Sequence, residues 1–176
     1  IPLEIANVPL DDKDAYLVFA NANTTAVFQF ESVGMKKMLK EARPSKFEEI
    51  IAFVSLYRPG PMDLIPDFIH RMHGGEFEYL HPLLEGVLEP TYGIMVYQEQ
   101  VMQISKEVCG FTGGVADTLR KAIGKKNAEL MAKMKDKMIE GGEKVSGIDH
   151  TLMEVFWKQL EDFAAYCFNK SHAAWY

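Results

Sequence analysis

The chain has 176 residues, 48% of them hydrophobic and 25% charged, with a formal net charge of −6 at pH 7. That is enough apolar side chain for a packed core, and it excludes a disordered tail and an indiscriminate nucleic-acid binder. No run approaches the roughly 18 apolar residues of a membrane helix, no secretory leader is recognisable, and Cys109 and Cys167 lack metal-ligand spacing, reading instead as reduced, buried thiols.

In chain order, residues 1–10 read as an apolar connector with two prolines. Asp11 or Asp12 caps a short helix through Phe19. Val27 to Phe30 alternates weakly and reads as extended. Ser32 to Ala42 is helical in pattern and Pro44 stops it. Ser45 caps a stronger helix, in which Phe47, Ile50, Ile51, Val54 and Tyr57 recur at the spacing of one buried face. Arg58-Pro59-Gly60-Pro61 ends it, and a further helix runs from Met62 to His73. Residues 76–93 read as loop, with a short strand at Ile94 to Val96. Helices follow from Tyr97 or Gln98 to Val108, from Thr112 through the basic pairs, from Ala128 to Glu140 and from Thr151 to Phe163. The periodicities give a mostly α fold with at most one or two short strands. Both termini look cut from something longer.

Four stretches can carry chemistry. Between Arg120 and Lys137 seven cations (Arg120, Lys121, Lys125, Lys126, Lys133, Lys135, Lys137) face only Glu129 and Asp136, a local charge of +5. Asp117 stands four residues before Lys121, so an intrahelical ion pair accounts for part of this. It leaves Lys125 and Lys126 unexplained. The functional alternative is a phosphate clamp, arginine offering a planar fork and lysine a point charge. Gly124 reads as the point where the second pair leaves the helix. In Phe168-Asn169-Lys170-Ser171-His172, a polar run sits between two apolar ones: either Asn169 or Ser171 caps a helix while Lys170 and His172 face water, or a cation and an imidazole are presented to a ligand. Arg58 either caps helix carbonyls or meets a ligand. Glu99 and Gln100 suit the free amides of a helix start. No metal-binding aspartate set, GxGxxG, P-loop or Ser/His/Asp constellation is present.

Read together, TTAVFQFES-GMK (24–36), SLYRPGP (55–61), DFI-R-HG (67–74), EPTYGIMVYQEQVMQIS (89–105), ADTLRKAIGKK (116–126) and FNKSHAA (168–174) resemble, in order and over nearly the whole chain, the C-family replicative polymerases of bacteria, the family of the DNA polymerase III alpha subunit. The resemblance implies an irregular multi-helix fingers module over 31–176, with 1–30 a connector and first helix leading from the palm. It implies part of a DNA-directed DNA polymerase, cytoplasmic, in which Arg120 and Lys121 meet the triphosphate of the incoming deoxynucleotide. Arg58, Lys125, Lys126, Lys170 and His172 would line the same pocket, and Glu31 would lie near the join of palm and fingers. Arg-Arg is the family's commoner pair at 120–121 and glycine is common at 167, so Lys121 replaces a fork by a point charge. The family's catalytic aspartates and their Mg2+ belong to the palm, outside this chain. The fragment alone is therefore expected to bind no cofactor and to be inactive. The implied partners are the deoxynucleoside triphosphate, template-primer DNA, the palm and other domains of the parent and, through regions absent here, other replicase subunits; a membrane is not among them. The alternatives are a helical interaction module whose basic face docks an acidic protein and, disfavoured by the missing metal carboxylates, a free-standing phosphate-ester enzyme.

Overall fold

The computed structural model describes Glu4 and residues 7–125 and 127–175. It is mostly α; the extended pairing among the described residues is a single parallel bridge between Tyr97 and Phe168, where a short strand at 94–96 was expected. The helices pack around two hydrophobic cores.

The first core is built by α1 (Lys13–Ala20), α2 (Val33–Ala42), α3 (Phe47–Leu56) and α4 (Ile65–Met72). Asp12 caps α1 by accepting the amides of Asp14 and Ala15, and Ser32 caps α2 through that of Met35. α3 does not use Ser45 as its cap. The Glu49 carboxylate instead reaches back to the amides of Ser45 and Lys46, at 2.7 and 3.1 Å, and accepts the Tyr92 hydroxyl at 2.5 Å. Glu49 is 2% exposed, so donors brought by the fold replace its hydration. α3 is also covered all round rather than on one face: Ala52, Phe53, Ser55 and Leu56 are buried along with Ile50 and Ile51. After it, Gly60 adopts φ +103, a conformation that a Cβ disfavours.

Residues 27–30 are not extended. They form turns, with Ala26 and Gln29 at positive φ, held by Thr24 Oγ1 on the Phe30 carbonyl and Glu31 on the Ala26 amide, each at 2.6 Å. Local side-chain bonds to backbone outcompete a strand that has no partner. Residues 76–93 likewise hold more than loop: 3-10 turns at Pro82–Leu84 and Glu89–Thr91 flank the single turn of α5 (Glu85–Leu88).

The second core is built by α5 with α6 (Gln98–Glu107), α7 (Gly113–Lys125), α8 (Ala128–Ser146) and α9 (His150–Ala164). α8 runs past Glu140 because its two glycines are contacts, not stops. A Cβ on Gly141 would collide with the Cys109 carbonyl oxygen, and one on Gly142 with the Met153 sulfur. Asn127 and Asp149 cap α8 and α9. α7 continues through Gly124, so Lys125 lies on the last helical turn rather than beyond it. A final short helix, α10 (Lys170–Trp175), returns to the first core through Ala173.

The chain crosses between cores twice. Ile94, Val96 and Tyr97 are buried in the first core, and Val101 and Ile104 in the second. Tyr166 and Cys167 pack on the second, and Phe168 on the first. These two crossings lie side by side at the Tyr97–Phe168 bridge, where three of the seven predicted site residues, Arg58, Lys170 and His172, meet. No described helix is long and apolar enough to cross a membrane.

Candidate functional site

The bridge is made by Phe168 N donating to the Val96 carbonyl at 3.3 Å and Gln98 N donating to that of Phe168 at 2.9 Å. Arg58 enters from the end of α3. Its Nε donates to the Ser55 carbonyl at 2.9 Å, and its Nη2 donates to the Tyr166 carbonyl and, at 3.2 Å, to that of Cys167. Its guanidinium carbon stands 4.4 Å from the centre of the Phe168 ring. Burial pulls the Arg58 pKa below its ordinary value, opposed by the Cys167 sulfur. Arg58 thus does cap helix carbonyls, and it also ties the first core to the second crossing. Its Nη1 donors have no hydrogen-bond partner among the described residues.

The first turn of α6 supplies the anchor for α10. Glu99 accepts Asn169 Nδ2 at 2.9 Å and the Lys170 amide at 3.1 Å, while Asn169 Oδ1 accepts the His172 amide at 2.9 Å. Asn169 is therefore the cap of α10, and Glu99 fixes which way its amide faces. The Lys170 ammonium lies 5.6 Å from the Tyr97 ring centre, and the His172 ring lies 5.6 Å from that of Phe168. Behind them, Gln100 Oε1 accepts the amides of Val96 and Tyr97 at 2.9 and 3.0 Å, and its Nε2 donates to Thr91 Oγ1 at 2.7 Å, which locks the segment leading into α6. Arg58, Lys170 and His172 are thus brought together around Phe168 and Tyr97. Local pattern gave no sign of Phe168, Tyr97 or Glu99 as the frame, because their partners lie some 70 residues away.

The end of α7 approaches this frame through Gln98. Its Nε2 donates to the half-buried Cys167 thiol at 3.2 Å, and a Cβ on Gly124 would stand 3.7 Å from the same nitrogen. Arg120 lies one helical turn before Gly124. In this structure Arg120 and Lys121 both engage Asp117: Nε and Nη2 of Arg120 reach Oδ1 at 2.9 and 2.7 Å, and Lys121 Nζ reaches Oδ2 at 2.7 Å. Hydrogen bonds from Lys121, then from Arg120, hold the Asp117 carboxyl below its usual range. Lys125 is exposed and has no ion-pair partner among the described residues. Lys126 lies outside the described residues. Farther along, Lys133 pairs with Glu129 at 2.7 Å and Lys135 with Glu154 of α9 at 3.8 Å, while Lys137 is exposed with no ion-pair partner among the described residues. Glu31 stands apart, closing the 26–31 turn. Among the described residues no three His, Cys, Asp or Glu side chains group so as to hold a metal ion, and both cysteines are free thiols.

This helical module, with Arg58, Lys170 and His172 at the junction of its two cores, belongs to the bacterial DNA polymerase III alpha subunit finger domains, whose family model matches residues 1–146. Its relatives carry the name DNA polymerase III subunit alpha. That of Neisseria meningitidis is 60% identical over 174 residues, covering 99% of this chain. The Xylella fastidiosa protein is 54% identical over 177 residues, and that of Aquifex aeolicus 49% over 179. The chain spans about 15% of the length of each of these relatives.

Proposed function

We propose that this chain is the nucleotide-binding fingers portion of a DNA-directed DNA polymerase of replication, cytoplasmic, with residues 1–30 leading from the palm and 31–176 forming the module. Arg120 and Lys121 receive the triphosphate of the incoming deoxynucleotide. Lys125, Lys126, Arg58, Lys170 and His172 complete the electropositive wall, and the module helps position template-primer DNA. The observation that carries the reading is the frame at the Tyr97–Phe168 bridge, which gathers Arg58, Lys170 and His172 from segments more than a hundred residues apart and sets the last turn of α7 beside it. The docking-face alternative fits less well, because carboxylates of α8 and α9 already neutralise Lys133 and Lys135.

The chemistry asked of these residues is positional and electrostatic. Phosphoryl transfer needs the nucleotide held in line and the charge on the departing pyrophosphate offset. Arginine meets two phosphate oxygens at once, whereas Lys121 and Lys125 act as mobile point charges. The Nη1 of Arg58, without a hydrogen-bond partner among the described residues, offers donors from a guanidinium that its other bonds already hold in place. The magnesium ions of such an enzyme would activate the attacking oxygen and would be held by aspartates outside this chain.

In the full-length polymerase, Arg120→Ala and Lys121→Ala are expected to raise KM for the nucleotide roughly tenfold or more, the scale of a charge-assisted phosphate contact. The template-primer Kd should move far less. Unchanged nucleotide kinetics would overturn the assignment.

A further inference from the structure

The two leading phosphate ligands share one carboxylate. Asp117 receives two donors of the Arg120 fork on one oxygen and the Lys121 ammonium on the other. Helix stability alone does not require this arrangement. Asp117 is the fifth residue of α7, beyond the turn where a negative charge gains from the helix dipole, and neither Arg120 nor Lys121 lies in the last turn, where a cation would gain. The pairs are also exposed, with side-chain exposures of 38% for Arg120, 56% for Lys121 and 36% for Asp117, and such pairs contribute little to folding. What the geometry does accomplish is to hold two adjacent cations with their donors engaged and their charge half neutralised.

Resting on the triphosphate reading above, we propose that Asp117 is a positioning residue of the nucleotide site that sets how tightly it holds phosphates: its carboxylate occupies donors of Arg120 and Lys121 until a ligand bringing more negative charge displaces it, and it reclaims them as pyrophosphate leaves. One carboxylate carries a single negative charge on two oxygens. A triphosphate brings several charges and more acceptors, so it wins the exchange, whereas a monophosphate or diphosphate wins it by less. The same competition weakens the hold on the product. Asp117 therefore weakens every phosphate ligand that must displace it by the same factor, raising KM slightly and aiding turnover by opposing retention of pyrophosphate.

The test is Asp117→Asn in the full-length polymerase, which keeps the side chain's size and one acceptor oxygen but removes the charge. KM for the deoxynucleoside triphosphate is expected to fall roughly two- to fivefold, the range open to an exposed ion pair. The inhibition constants of pyrophosphate and of a deoxynucleoside diphosphate should fall by a similar factor. All three gains should shrink at ~1 M salt, where charges are screened beyond about 3 Å. They should vanish when Asp117→Asn is added to Arg120→Ala/Lys121→Ala. A KM that rises or stays put, or a gain that survives in the triple variant, overturns the proposal. If Arg120→Ala/Lys121→Ala itself leaves KM unchanged, the triphosphate reading is what fails. If that pair raises KM and Asp117→Asn does not lower it, only the present inference falls.

Discussion

The first core fixes its backbone with buried polar groups, whereas the second relies on the packing of longer helices. In the first, Thr24, Glu49 and Tyr92 bond across turns, Ala22, Ala26, Gln29, Arg43 and Tyr92 sit at positive φ, and aromatic rings meet edge to face at Phe53–Phe68 and Phe68–Tyr92. In the second, Met131, Met134, Met138 and Met153 fill the space between α8, α9 and their neighbours, and Gly141 lets its backbone approach that of Cys109. Turns pinned by polar bonds hold side chains at set positions, while methionine-lined helix interfaces tolerate small shifts. The difference teaches why the candidate site sits where it does. Arg58, Lys170 and His172 take their positions from the pinned region, and Arg120 and Lys121 ride on a helix of the other.

The contrast can be broken hardest at Arg58. Arg58→Ala leaves the Tyr166 and Cys167 carbonyls without their donor, so a loss of about 3 kcal/mol in unfolding free energy is expected. The two cores should then unfold at separate denaturant concentrations, read by tyrosine fluorescence against helix signal. Arg58→Lys should not restore coincidence, since one ammonium cannot span Ser55 and the second crossing together. Coincident transitions in Arg58→Ala would refute the role of the clamp.

The next effect lies wholly in the second core. Gly141→Ala forces a methyl against the Cys109 carbonyl oxygen and should cost about 2 kcal/mol even after the gain in helix propensity. Gly142→Ala meets only the flexible Met153 side chain and should cost less. Thermal unfolding of the two variants compares them, and equal or reversed losses would contradict the close-packing account of α8.

A smaller change is expected from Glu99→Ala, which removes the acceptor for Asn169 and Lys170 at a cost of about 1 kcal/mol. Amide exchange at Lys170 and His172 should quicken about tenfold while that in α8 and α9 holds, with Glu99→Gln intermediate. Uniform quickening would mean that Glu99 supports the whole fold rather than the start of α10.

The mildest probe is chemical. Burial pushes the Cys109 thiol up to about 12, from an ordinary 9.0, and raises Tyr97 as well. The folded state holds these protons more tightly than the unfolded chain, so their contribution is complete below pH 9 and is lost as pH climbs toward 12. Melting temperature should therefore hold from pH 7 to about 8.5 and decline above it. At pH 8 a thiol reagent should label the half-buried Cys167 and spare Cys109 until the second core opens. Equal labelling rates would contradict the burial of Cys109.

Helices with a short polar cap and a long apolar period were legible from sequence: α2 after Ser32, and α9 with Met153, Phe156, Leu160 and Phe163 on its buried side. Gly124 misled, and α8 runs past Glu140, because a glycine that ends a helix and one carried inside it look alike in one dimension. The turns at 26–30 were hidden for a similar reason, since weak alternation does not reveal that Thr24 and Glu31 satisfy the backbone locally. At the site, sequence picked out the cations and supplied Asp117 as a partner for Lys121. It did not show that Arg120 shares that partner, or that Glu99 and Phe168 form the frame.

The account stands on α7 and α10 serving one ligand. Hydrogen exchange on the full-length polymerase with template-primer, with and without the next correct nucleotide, tests this most directly. Protection should rise together over 117–125 and 168–173, and the two rises should share one nucleotide concentration dependence. Protection confined to one segment, or rising at separate concentrations, would contradict it.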